Sequence, residues 1–348
     1  MNDFAKRSWV ARILVVAGAT GTAIACGSAS TTDNDASTAD GANEANDANE
    51  ANDANDAATS GDVVVADAIQ DVVGSEPPPT VRRPFLVGSA MRAAEPIARD
   101  DWSDVLAPAN DLDDATRAAL ARAWLDDALQ EHASIAAFAR FSMMMMAVSA
   151  PADLVADSQR ASLDEVRHAR ACFSLARRYG ADAAGPAELR VDDAMARLSL
   201  AELAALTAEE GCVGETLGAL LAEEQAARAT EPVAKAILER IARDEARHAE
   251  LAWRFVAWAV ARGGEDVARA VRVTIDRATK ATLAMEIRPL RVNADAWTAH
   301  GRLTCAESHA IAARGIAEIV APASRALGSA PPQSVQPRVA RALQPDRA

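Results

Sequence analysis

Four stretches of the sequence put acids and imidazoles where metal chemistry would need them: Glu131, Glu165 with His168, Glu210, and Glu245 with His248. A Glu-x-x-His spacing sets a carboxylate and an imidazole on one face of a helix. Each stretch also interrupts an apolar stripe. Glu131 sits among Trp124, Ala128, Ile135, Phe138 and Met145, and Glu165 with His168 shares a face with Ala161, Cys172 and Leu175. Glu210 lies with Leu203, Leu206, Val213, Leu217 and Leu220, and Glu245 with His248 lies with Leu238, Ile241, Ala252 and Phe255. Burying an unpaired carboxylate is costly, whereas burying one bound to a cation is not. Four at one level therefore need cations; the competing reading is a metal-free helical core that uses the same residues as a hydrogen-bonded network.

Helices must position these groups. Asp111 or Asp113 caps a first helix running to about Val148, where Ser149-Ala150-Pro151 stops it, and a second runs from about Ala152 to Tyr179 and ends at Gly180. The capping-box spacing Ser199-Leu200-Ala201-Glu202 opens a third, to about Ala229. Thr230 and Pro232 open a fourth, which Gly263-Gly264 ends, while a fifth from about Glu265 to Met285 and a sixth from Thr304 to about Leu327 lie against these four. Glu131 and Glu165 are 34 residues apart, Glu210 and Glu245 are 35 apart, and Asp-Glu-x-Arg-His-Ala occurs at both 164–169 and 244–249. The chain thus reads as two copies of a helical hairpin, in each of which a lone Glu meets the Glu-x-x-His of its antiparallel partner. The fold class is all-α, a four-helix bundle with extra C-terminal helices.

The residues around the stripe divide by direction. Glu215 stands five positions after Glu210, about 140° away on a regular helix, on a small-residue face with Gly211, Gly218 and Ala222. A π-bulge would bring the two acids onto one face, which makes Glu215 a further candidate ligand, while Glu209 is read as solvated. His132 points about 100° off the stripe and reads as an outer-sphere or surface histidine. Asp164 and Asp244 can orient the histidine nitrogens across the bundle, with Arg167 and Arg247 pairing to them. His300 and His309 fall outside the pattern. Cys172, Cys212 and Cys305 lack any Cys-x-x-Cys spacing, so no rubredoxin-type centre is expected. Tyr179, the only tyrosine, is eleven residues past His168, roughly 16 Å along a helix, too far for a tyrosyl radical beside the ligands.

The net charge of −14 looks like a statement about partners until it is divided along the chain: +2 for residues 1 to 26, −12 for 27 to 80, and −4 for 81 to 348. The helical part is nearly balanced, so no nucleic-acid footprint is indicated. A basic start, an apolar stretch from Ile13 to Ala25 and the small residues before Cys26 read as an export signal. Ala23-Ile24-Ala25 fits ordinary cleavage, while Cys26-Gly27 directly after it fits a lipoprotein signal that leaves a lipidated Cys26, with Ala23 departing from the more usual leucine. Ala-Asn-acid is then repeated five times between Ala42 and Asp56, a composition that cannot bury enough apolar surface to order itself. The expected organisation is a lipoprotein-type signal peptide over 1–25, a lipid-bearing disordered tether over 26–80, an irregular lead-in over 81–111, the bundle over 112–262, additional helices over 263–329 and a loose tail over 330–348.

The segments Glu131-His132-Ala133-Ser134, Asp164 to Ala169, Glu210-Gly211-Cys212-Val213-Gly214-Glu215 and Asp244 to Ala249 resemble the dimetal carboxylate site of the ferritin-like superfamily, which includes bacterioferritin, rubrerythrin and diiron oxygenases. The resemblance covers roughly residues 112 to 262 and is nearest to bacterial ferritin-like lipoproteins, for which it assigns no reaction. It implies two Fe ions, with Mn compatible because carboxylates and imidazoles suit either. Together with the lipoprotein-type signal, the expected protein is exported to the bacterial envelope and lipid-anchored to a membrane, with a homodimer left open. Dioxygen or peroxide would be its reactant, in a ferroxidase- or peroxidase-like reaction with no catalytic group beyond the ligands. The alternatives are a diiron oxygenase for an envelope substrate and a non-catalytic helical binding or scaffold module.

Overall fold

The computed structural model describes residues 7–18 and 83–327. Cys26, the tether, the tail and residues 1–6 and 19–25 of the expected signal lie outside them. The described residues are mostly helical.

Helix α2 (Asp114–Ala147) is capped by Asp113, whose carboxylate accepts the Thr116 N–H at 2.9 Å, and it ends before Ser149, which has φ 56°. Helix α3 (Ala152–Arg178) stops at Gly180, where φ of 101° suits a residue without Cβ. A third rod consists of α4 (Leu200–Thr207), a π-helical segment (Ala208–Glu215) and α5 (Thr216–Arg228), opened by the Ser199/Glu202 capping box. Helix α6 (Pro232–Leu283) begins with proline in its first turn and is broken at Gly264 (φ 67°, ψ −151°). The fourth and fifth expected helices are thus its two sections, joined at the glycine pair. A short helix α7 (Ala294–Ala299) went unforeseen; α8 (Cys305–Gly315), a π-turn (Ile316–Val320) and α9 (Ala321–Ala326) make up the sixth.

Helix α2 packs along α3, the α4-to-α5 rod packs along α6, and α3 meets α6 across the two pairs. The apolar residues form two principal clusters, one containing Phe138, Ala161, Leu203 and Ala246, the other Ala128, Cys172 and Ala242. On α2, α3 and α6 the acids Glu131, Glu165 and Glu245 fall between the members of one cluster and those of the other. A polar layer is therefore sealed from both ends by hydrocarbon.

The lead-in does more than lie along the domain. Strands β1 (Leu86–Val87) and β2 (Ala90–Met91) pair with each other, and β3 (Pro96–Ala98) pairs with β4 (Ala184–Pro186) in the loop after α3. Arg83 and Phe85 are driven into the interior.

Helix α1 (Ser8–Val16), which falls within the stretch read as an export signal, sits on α6 with Trp9, Val10 and Ile13 buried. The Trp9 indole donates to Glu223 at 2.8 Å, and Arg12 donates to Glu250 at 2.6 Å. An apolar helix held close to an apolar surface buries one against the other. Among the described residues no helix is long and apolar enough to cross a membrane.

Candidate metal centre

Two groups of buried side chains converge inside the helical core. Glu131, Glu165, His168 and Glu245 each offer an atom within 4.8 Å of the others, and so do Glu215, Glu245 and His248. Glu245 belongs to both. The i, i+3 spacing on α3 and α6 aims both imidazoles inward: His168 Nδ1 lies 3.7 Å from Glu165 and 3.5 Å from Glu245, and His248 Nδ1 lies 3.0 Å from Glu165 and 3.8 Å from Glu245. The opposite ring nitrogens face outward to carboxylates of the other hairpin. His168 Nε2 is 3.0 Å from Asp244, and His248 Nε2 is 3.2 Å from Asp164. Arg167 pairs with Asp164, and Arg247 reaches Asp244 at 2.6 Å and Asp164 at 3.2 Å. The sequence expectation for Asp164, Asp244 and both arginines describes these contacts.

Both carboxylate oxygens of Glu215 and of Glu245, and Nδ1 of both histidines, are buried without a hydrogen-bond partner. Native interiors rarely leave so many polar atoms unmatched, and hard oxygen donors with two neutral imidazoles are a donor set that could hold a metal ion. In the cation-free protein, protons carry the compensating charge. Burial opposes protonation of His168, but the hydrogen bond to Asp244 and the nearby carboxylates of Glu165 and Glu245 outweigh it and push its pKa up to about 10. His248 is raised well above its ordinary value by the same balance, with Asp164, Glu165 and Glu245 as partners. Burial alone would raise Glu165 and Glu245; the imidazoles more than reverse it and hold both below the usual carboxylate range. Glu215 goes the other way, well above that range, through burial and then the charge of Glu245.

The third rod corrects one assignment. Glu210, expected as a ligand, belongs to neither group. Two buried guanidiniums claim it: Arg140 pairs with it directly, Arg83 Nη2 lies 3.5 Å away, and the Leu86 N–H donates to it at 3.3 Å. The π-helical segment is present from Ala208 to Glu215, and Glu215 is the acid it delivers to the cluster. Counting outward from the turns points to the same residue. Glu215 stands 15 residues before Thr230 and Glu245 15 after it, whereas the 35-residue repeat spacing had favoured Glu210.

His132 is half-buried beside the edge of Trp102, ring centroids 5.2 Å apart, and lies in neither ligand group. Tyr179 is occupied with His300, its hydroxyl 2.9 Å from Nδ1. Among the described residues Cys172, Cys212 and Cys305 form no disulfide. Sequence reasoning missed Arg83 and Arg140. Arg140 stands nine residues after Glu131, about 180° around a regular helix, on a face with the small buried residues Ala133 and Ala137 rather than on the stripe that was read; Arg83 lies in a stretch with no periodicity to read.

The Asp164–His248 couple reaches the surface. A pocket of about 180 Å³ is lined by both residues together with Asp157, Ala161, Arg247 and Arg254. No family model, curated protein or solved structure matches the chain.

Proposed function

We propose that this chain is a ferritin-like four-helix-bundle protein that holds two iron ions and reacts with dioxygen or peroxide in a ferroxidase- or peroxidase-like manner, tethered to an envelope membrane through Cys26. The observation that carries the reading is the pair of buried ligand groups sharing Glu245, each closed by an inward imidazole nitrogen. Glu131, Glu165 and His168 would hold one ion, Glu215 and His248 the other, with Glu245 between them. Two such ions, when bound, would supply the electrons for reduction of the oxidant.

The protein's own residues supply the rest. Asp244 and Asp164 fix the tautomer and ring orientation of the two histidines. The flanking apolar clusters keep bulk water from the carboxylates. The pocket beside Asp164 gives the His248 couple a route for protons between solvent and the interior. The membrane tether and the signal rest on the residues before 81 alone, and manganese in place of iron is compatible with the same donors.

Elemental analysis of purified protein tests this reading. Close to two iron or manganese ions per chain are expected, lost on Glu165→Ala, together with oxygen consumption driven by ferrous iron alone. Protein without metal, and unaffected by Glu165→Ala, would leave a binding or scaffold module; consumption that requires an organic substrate and a reductant would indicate an oxygenase.

A further inference from the structure

We propose that Arg83, contributed by the lead-in segment, is a positioning residue for one of the two ion positions: it holds Glu210 so that the π-helical segment stays open and presents Glu215 to Glu245 and His248. The inference rests on the dimetal reading of the site.

π-helical geometry is rare and needs compensation from its surroundings. Here the compensation is concentrated on Glu210. It accepts the Leu86 N–H, pairs with Arg140 and lies 3.5 Å from Arg83. Arg83 is itself clamped, its guanidinium 4.5 Å from the ring centres of both Phe138 and Phe141, while Arg140 lies 4.9 Å from the Phe85 ring. The neighbouring glycine shows how closely the segment is pressed. A Cβ on Gly211 would come within 2.5 Å of the Ala252 side chain and 3.2 Å of Arg83 Nη1.

Glu210 and Glu215 are both 1 % exposed and serve different charges from one π-helical segment. If Glu210 is released, the segment can return to α-helical hydrogen bonding, which sets residues five apart about 140° from each other. Glu215 then turns away from the cluster. The Glu131, Glu165, His168 and Glu245 group contains no residue of the segment and keeps its geometry. Loss of Arg83 thus costs one ion position, and the site is completed by a residue lying outside the four long rods.

The test is a cobalt(II) titration of the full chain, followed by visible absorption and by calorimetry. The unmodified chain should bind two ions. Arg83→Met fills the space between the two phenyl rings with an apolar side chain and should bind one ion tightly and the second at least tenfold more weakly, the pattern expected of Glu215→Gln. Leu120→Ala, a core change eleven residues from Glu131 on α2, serves as control for simple destabilisation and should keep two. Arg83→Gln is the second variant. Two tight ions in either folded Arg83 variant overturns the proposal, as does loss of cooperative folding in both, which would make Arg83 a general core residue. Fewer than two ions in the unmodified chain removes the dimetal reading itself and this inference with it.

Discussion

Glu210 and Glu215 stand five residues apart on one π-helical segment, both fully buried, and they answer to opposite neighbours: Glu210 to the guanidiniums of Arg83 and Arg140, Glu215 to the carboxylate of Glu245 and the imidazole of His248. One acid is already neutralised by the protein. The other belongs to a group that could hold a cation.

Their substitutions should therefore differ in sign when no metal is present. Glu210→Ala strands two buried arginines and should cost about 3–5 kcal/mol, lowering the melting temperature by roughly 6–20 °C. Glu215→Gln removes a group whose ionised form is disfavoured by burial and by Glu245, and should leave the metal-free protein unchanged or more stable. Thermal melts in chelator check both; equal losses would show that the two acids are not distinguished in this way.

The pH dependence of the metal-free protein follows from the same charges. His168 is raised from 6.5 to about 10, so its contribution is complete below about pH 6.5 and is lost as pH rises through about 10. Glu245 is held well below 4.5, so its contribution is present above about pH 4.5 and is lost as pH falls further. Glu215, raised above 4.5, adds to the loss on the alkaline side. Stability in chelator should peak in weakly acidic solution and decline toward pH 10, while metal binding tightens over the same rise because the ion competes with protons for the ligands. A melting temperature in chelator that climbs steadily from pH 5 to pH 9 would contradict these assignments.

Asp244 and Asp164 offer a third check. Asp244→Asn leaves every ligand in place but weakens the group that orients His168, and should reduce metal affinity by about 10- to 100-fold, measured by competition with a chromophoric chelator. Asp164→Asn should do the same through His248. Because Arg247 contacts both carboxylates, the double variant should lose less than the two single losses combined.

Much of this was legible in the residues. Asp113, Ser199, Pro232 and Thr304 announced where helices open, and Gly264 announced the break in α6, because caps and positive-φ glycines act locally. The repeated Asp-Glu-x-Arg-His-Ala motif announced the paired carboxylates and imidazoles, since an i, i+3 face is fixed by helical pitch. Glu210 was misassigned because the repeat spacing carries no information about which acid a buried arginine will claim. Arg83 was invisible for a related reason: its role depends on a lead-in whose course is set by Phe85, Phe138 and Phe141, residues distant in sequence. The placement of α1 on α6 is equally a matter of tertiary packing.

The crossed histidine–aspartate couples make the two halves of the site depend on each other. The two hairpins carry the same motif, yet the carboxylate that governs each imidazole sits in the other hairpin. A drift at Asp164 is felt at His248, and one at Asp244 is felt at His168. Exchanging either half alone for a foreign hairpin would therefore leave the imidazole of the opposite half without its governing carboxylate.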